Sequence, residues 1–116
     1  MTDRLNSFFQ HDADIAWQAT DPGIKRKIMG YGPDLMVVRV AFEKGAVGKP
    51  HQHPHRQACF VESGVFDVTI DGKTSRLSAG DSFFVPANLV HGVVALAPGH
   101  LVDVFTPRRD DFLPPA

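Results

Sequence analysis

Four side chains in this sequence are of the right type and placement to hold a metal ion: His51, His53 and Gln57 in one short stretch, and His91 further along. Residues of the same parity point to one side of an extended backbone. An extended segment would therefore turn His51, His53 and Gln57 in one direction, and His91 opens a later strand. Imidazole nitrogens are the commonest borderline metal ligands, so three of them with the Gln57 amide, converging from two strands, make a site for one divalent ion. Three imidazoles and an amide oxygen suit zinc, nickel, iron(II) or manganese alike. The bland alternative stays open for each residue taken alone. An isolated histidine is more often a satisfied surface or core residue, and His11 and His100 are read that way. His55 has the right parity, but Pro54 breaks the strand before it, so it is read as a neighbour of the site or a solvent-facing residue. Gln57 has a second reading as a barrel-lining amide that touches no metal.

A second group lies near the C-terminus. Asp103 and Phe105 share parity, opposite to Val102 and Val104. If the two valines pack against another layer, Asp103 and Phe105 face the interior, where a carboxylate is costly unless it is paired or used. An ion pair with a nearby arginine is the alternative for Asp103. Arg109 follows closely, and its alternative is a solvated charge beside Asp110 and Asp111. Arg26 shares parity with Ile24 and Ile28, which would also point it inward.

These side chains need a framework of strands. Ten glycines and nine prolines punctuate the chain, and runs of Val, Phe and Ile lie between them, the pattern of an all-β sandwich or barrel. Leu35 to Phe42 is a strong strand, with Met36, Val38, Val40 and Phe42 on one face. Val65 to Ile70 alternates, and Asp71-Gly72 signals a tight hairpin back along Lys73 to Leu77. Ser82 to Val85, His91 to Leu96 and Leu101 to Phe105 complete the series. A helix is expected only over Asp12 to Ala19. Both faces of Leu35 to Phe42 are largely apolar, as are Val102 and Val104, which predicts a homodimer that covers an outer face.

Bulk properties bound the function classes. The chain has 116 residues, the length of a single domain, with 43% hydrophobic and 22% charged residues. A net charge of -1 gives no field to recruit nucleic acid or an anionic membrane. The lone Cys59 cannot form an internal disulfide, which suits a reducing compartment. Met1 to Gln10 has no apolar leader region, and no apolar run reaches the roughly 20 residues of a membrane helix. The expected location is the cytoplasm.

The spacing of Gly45, His51, His53, Gln57 and Gly64 resembles the first motif of the cupin superfamily, with Gln where Glu is usual. Gly80, Pro86 and His91 resemble the second motif, which spans residues 80–95, with Asn88 in place of its usual Gly and Ala95 in place of its usual Asn. This resemblance implies a cupin jelly-roll β-barrel over residues 1–116, with His51, His53, Gln57 and His91 as the protein ligands of one metal ion inside it. Exchanging Glu for Gln removes a negative charge, which favours gripping an anionic oxygen over redox tuning.

Longer stretches, among them GIKRKIMGY, FEKGAVGKPHQHPHRQ, GDSFFVP, HGVVAL and DVFTPRRDDFL, are similar to the KdgF-type pectin-degradation cupins. That resemblance implies ring opening of 4,5-unsaturated uronate monosaccharides to the linear 5-keto-4-deoxyuronate. It gives catalytic or substrate-binding roles to Asp103, Phe105 and Arg109, and makes a small sugar acid the partner. Ala58, Cys59, Phe60 and Glu62 depart from the family pattern in the strand after the ligands. A cupin-type metal-dependent dioxygenase and a non-catalytic small-molecule-binding cupin are the alternatives.

Overall fold

Period-two alternation governs the observed architecture. The computed structural model describes residues 6–115. The first five residues of the segment read as lacking a leader lie outside that range. Ten strands form among the described residues: β1 Gln18–Asp21, β2 Ile24–Gly32, β3 Leu35–Phe42, β4 Val47–His51, β5 Arg56–Ser63, β6 Val65–Ile70, β7 Lys73–Ser78, β8 Ser82–Val85, β9 His91–Ala95 and β10 Gly99–Thr106. Six of them make an antiparallel sheet in the order β1-β2-β3-β10-β5-β8, and four make a second sheet in the order β4-β9-β6-β7. The two sheets enclose a core, as expected of a jelly-roll barrel.

On β5, burial strictly alternates, with Gln57, Cys59 and Val61 inside. On β10, Gly99, Leu101, Asp103 and Phe105 are inside. The main apolar cluster gathers Phe42, Val61, Phe66, Val68 and Leu101, and the Phe42 and Phe66 rings meet edge to face with centroids 5.2 Å apart. A second, smaller cluster holds Met36, Val38 and Phe105, covered by Phe112 and Leu113 of the C-terminal tail.

The Asp71-Gly72 hairpin forms as expected. Both residues have positive φ, 50° and 78°, the turn that matches strand twist. The helix expected over Asp12 to Ala19 does not form. A single 3-10 turn covers Asp12–Asp14, and by Gln18 the chain is extended and paired with β2. The turn buries none of its residues, and so short a helix needs a packed face to survive. No helix among the described residues is long and apolar enough to cross a membrane.

Candidate metal centre

Strand register brings the ligands together. His51 at the end of β4 is paired directly with His91 at the start of β9, and their ring centroids lie 4.4 Å apart. The strands approach closely there, since a Cβ on Gly92 would stand 2.9 Å from the Gly48 carbonyl oxygen. His53 lies in the link between β4 and β5 and enters from the side, 4.8 Å from His91 by ring centroids. The backbone of that link is pinned by Asn88, whose N–H donates to the His53 carbonyl at 2.8 Å. Asn88 has φ 66°, which explains its place in the second motif. The position requires a left-handed backbone, and asparagine tolerates one better than most residues with a side chain.

Each imidazole is aimed by its own chain. Nδ1 of His51 meets the Lys49 carbonyl, Nδ1 of His91 meets the Leu89 carbonyl and Nδ1 of His53 meets the His55 carbonyl, all at 2.9 Å. A carbonyl only accepts, so Nδ1 must carry the proton and Nε2 keeps its lone pair. One ligand atom from each of the three histidines falls within 4.8 Å of the others, an arrangement able to hold a metal ion. His53 and His91 are buried, and His51 is the exposed member.

Two features of this cluster are unsatisfied without a cation. Nε2 of His91 is buried and has no hydrogen-bond partner. Nε2 of His53 stands 3.1 Å from Oε1 of Gln57, although its Nδ1 already faces a carbonyl. A neutral imidazole has one N–H, so one of the two contacts sets an acceptor against an acceptor. Protonation is no remedy. Burial, reinforced by the charge of Arg109, pulls the His53 pKa below its usual value, and burial pulls that of His91 down to about 4. A positive ion among the lone pairs of His51, His53, His91 and Gln57 Oε1 satisfies all of them at once. The donor set therefore fits a divalent metal.

The Gln57 amide is oriented by Asp103. Its Nε2 donates to Asp103 Oδ1 at 2.9 Å, which turns Oε1 toward His53; the opposite orientation would set two oxygens together. Among the described residues no ion pair joins Asp103 to an arginine. It is buried between Gln57 and Cys59, and burial raises its pKa while hydrogen bonds from the Cys59 thiol and the Gln57 amide oppose the rise. The same burial, with the neighbouring carboxylate charge, pushes the Cys59 thiol up. Cys59 was read as a lone cysteine and as a departure from a family pattern, not as a neighbour of the site, yet it shares parity with Gln57 and lies opposite Asp103 in the strand register.

A cavity of about 350 Å³ opens over this cluster, lined by His51, Gln57, His91, Asp103, Phe105 and Arg109 among others. Arg109 is not a free solvated charge. Its Nε and Nη2 grip both carboxylate oxygens of Asp111, at 3.0 and 2.8 Å, and its guanidinium lies over Phe112 and Phe105. His55 stacks edge-on against His53 and keeps a buried Nδ1 without a partner, so it borders the cluster. His100 sits apart, beside Trp17 and Arg39 on the outer side of the sheet.

Residues 38–105 match the sequence pattern of the cupin domain. The chain belongs to the cupin family. The pectin degradation protein KdgF of Dickeya dadantii is 45% identical over 104 residues, 88% of this chain and 94% of that protein. The structure of KdgF from a Halomonas species superposes with a TM-score of 0.89 at 47% identity, covering 93% of this chain and all of that one. An RmlC-like cupin from Shewanella frigidimarina superposes at 0.92 with 39% identity, over 94% and 98% of the two chains. Among cupins, this chain is thus similar to the KdgF type over nearly its whole length.

Proposed function

We propose that this cupin opens the ring of 4,5-unsaturated uronates, the sugar acids released by lyases from pectin and alginate, to give 5-keto-4-deoxyuronate. The observation that carries the reading is Asp103: a buried carboxylate, hydrogen-bonded to the amide of a candidate metal ligand, on the wall of a cavity sized for a monosaccharide. Likeness to two proteins named KdgF, one described as a pectin degradation protein, supports it.

His51, His53, Gln57 and His91 would hold one divalent ion. When bound, such an ion supplies Lewis acidity to substrate oxygens. Asp103 accepts the proton of the anomeric hydroxyl as general base. The bond from the anomeric carbon to the ring oxygen breaks, leaving an aldehyde and an enolate next to the carboxylate. Return of that proton from Asp103 to carbon 4 gives the ketone; the sum is an isomerisation with no other reactant. Arg109 contributes guanidinium contacts to the acid, and Phe105 shapes the wall. The cytoplasm is the proposed site of action.

Loss of the conjugated-alkene absorbance of lyase-generated unsaturated galacturonate tests the reading. The expected result is a rate well above a no-protein control and abolished by chelation. A rate equal to the control overturns it, and oxygen uptake in its place would mark a dioxygenase.

We also propose a homodimer. Ala58, Phe60, Phe84, Val102 and Val104 line an apolar groove on the outer side of the six-stranded sheet, with Phe60 and Phe84 half exposed. A second copy of this face would cover it. Light scattering at tens of micromolar is expected to report two chains, and Phe60→Asp one.

A further inference from the structure

The cavity holds a second guanidinium that the proposed mechanism does not use. Arg26 projects from β2 into the same cavity as Asp103 and Arg109, and its Cζ lies 3.7 Å from the centroid of the Phe112 ring. Arg109 stacks on the same ring, with its Cζ at 4.2 Å. One aromatic ring from the C-terminal tail thus serves two cations. Like charges brought this close repel unless an anion lies between them, and only one of the two has been given its anion by the fold. The forked edge of Arg109 is occupied by Asp111. Nε of Arg26 is buried and has no hydrogen-bond partner, and among the described residues no carboxylate forms an ion pair with Arg26. Asp21 and Asp111 are the acidic groups whose fields reach it, and neither bonds to it. Burial and the charge of Arg109 both work against its positive charge.

A half-buried guanidinium whose Nε is shut off from water and unpaired is costly unless something completes it. We propose that Arg26 is the principal carboxylate-binding residue of this cavity, its guanidinium taking the acid group of the substrate while Phe112 fixes the plane of that group. Guanidinium and carboxylate match in a planar, two-bond geometry. Arg109 plays the lesser part, because its contacts with an incoming acid compete with Asp111. The division of labour follows from pairing: of two arginines on one ring, the ligand takes the one without an internal partner. This assignment rests on the sugar-acid reading above for its substrate class, but the binding site itself does not require that any ring be opened.

The test separates the two. Metal-loaded protein is titrated calorimetrically with galacturonate and with its neutral methyl ester. The wild type is expected to favour the acid by about tenfold or more, the scale of a charge-assisted pair. Arg26→Gln should erase that preference, whereas Arg109→Gln should keep most of it. In ring-opening assays Arg26→Gln should raise KM by a similar factor with kcat little changed, because the contact exists in the ground state as well. If Arg26→Gln fails to fold, Phe112→Leu keeps the arginine and removes its shelf, and acid binding should weaken severalfold. A preference that survives Arg26→Gln, unaltered acid affinity in Phe112→Leu, or no preference in the wild type overturns the assignment. A wild type that prefers the acid through Arg26 yet turns over no unsaturated uronate upholds the site and overturns the ring-opening reading alone.

Discussion

On β10, Leu101 and Asp103 are successive residues on one inward face, and on β5 so are Val61, Cys59 and Gln57. At one end of the barrel these positions hold Leu101 and Val61, packed with Phe42, Phe66 and Val68. At the other end the same faces hold Asp103 and Gln57, beside three histidines. The pleat is identical, and so is the burial. What differs is that every group in the apolar half is satisfied by packing, whereas the polar half leaves lone pairs and a guanidinium edge with no protein partner. Stability should reside in the first region and chemistry in the second, and substitutions can show whether the two separate.

The largest effect is expected from His51→Ala with His91→Ala. Wild-type protein should carry about one divalent ion per chain by elemental analysis. The double variant should carry none, remain folded by circular dichroism and open uronates no faster than the control. Full occupancy in the variant would place the metal elsewhere. Next comes Asp103→Asn, which leaves an oxygen for the Gln57 amide. Metal should be retained while kcat falls by about 10²–10⁴-fold, the contribution of a positioned base. Phe66→Ala strikes the other region. It should cost about 3–5 kcal/mol in denaturant unfolding, as loss of a buried phenylalanine does, with metal content and kcat of the folded protein unchanged. A kcat that falls in step with stability would show that the halves are coupled.

The smallest effect is a pH dependence of opposite sign at two sites. In metal-free protein the His91 pKa is lowered to about 4, against about 6.5 unfolded. The native state then binds fewer protons than the unfolded chain, so this stabilisation is complete above the unfolded pKa and is lost as pH falls toward 4. Asp103 is raised by burial, so its contribution is complete below its unfolded pKa and is lost as pH rises through the folded one. Thermal melts across pH should show His91→Gln flattening the acid side and Asp103→Asn the other. Wild-type slopes in both variants would contradict the burial argument.

Much of the arrangement was legible in the residues. Parity set Asp103 and Phe105 on one face, read as inward if Val102 and Val104 pack against another layer, and the two are buried. Asp71-Gly72 announced its hairpin because positive φ at two successive residues is chemically restrictive. The failures were of another kind. The segment 12–19 was read as a helix, but Gln18 and Ala19 pair with β2 and Trp17 lies against His100 and two lysines of β2, and such partners are a tertiary fact. Arg109 read as a solvated charge or a substrate contact; its fork on Asp111 depends on how the tail turns after β10. Arg26 could be pointed inward by parity, but its meeting with Phe112 joins β2 to a residue near the C-terminus, which no local signal encodes. The Gln57 amide could be named as a ligand, but not its orientation, which required Asp103 to be found across the strand register.

The three imidazoles are aligned by carbonyls only two residues away along the chain, at Lys49, His55 and Leu89. Each ligand therefore travels with its own jig. A strand fragment moved to another barrel would bring the correct tautomer with it. Capture of an ion then demands little rotamer searching, so uptake should be paced by how fast the ion sheds water rather than by rearrangement of the protein.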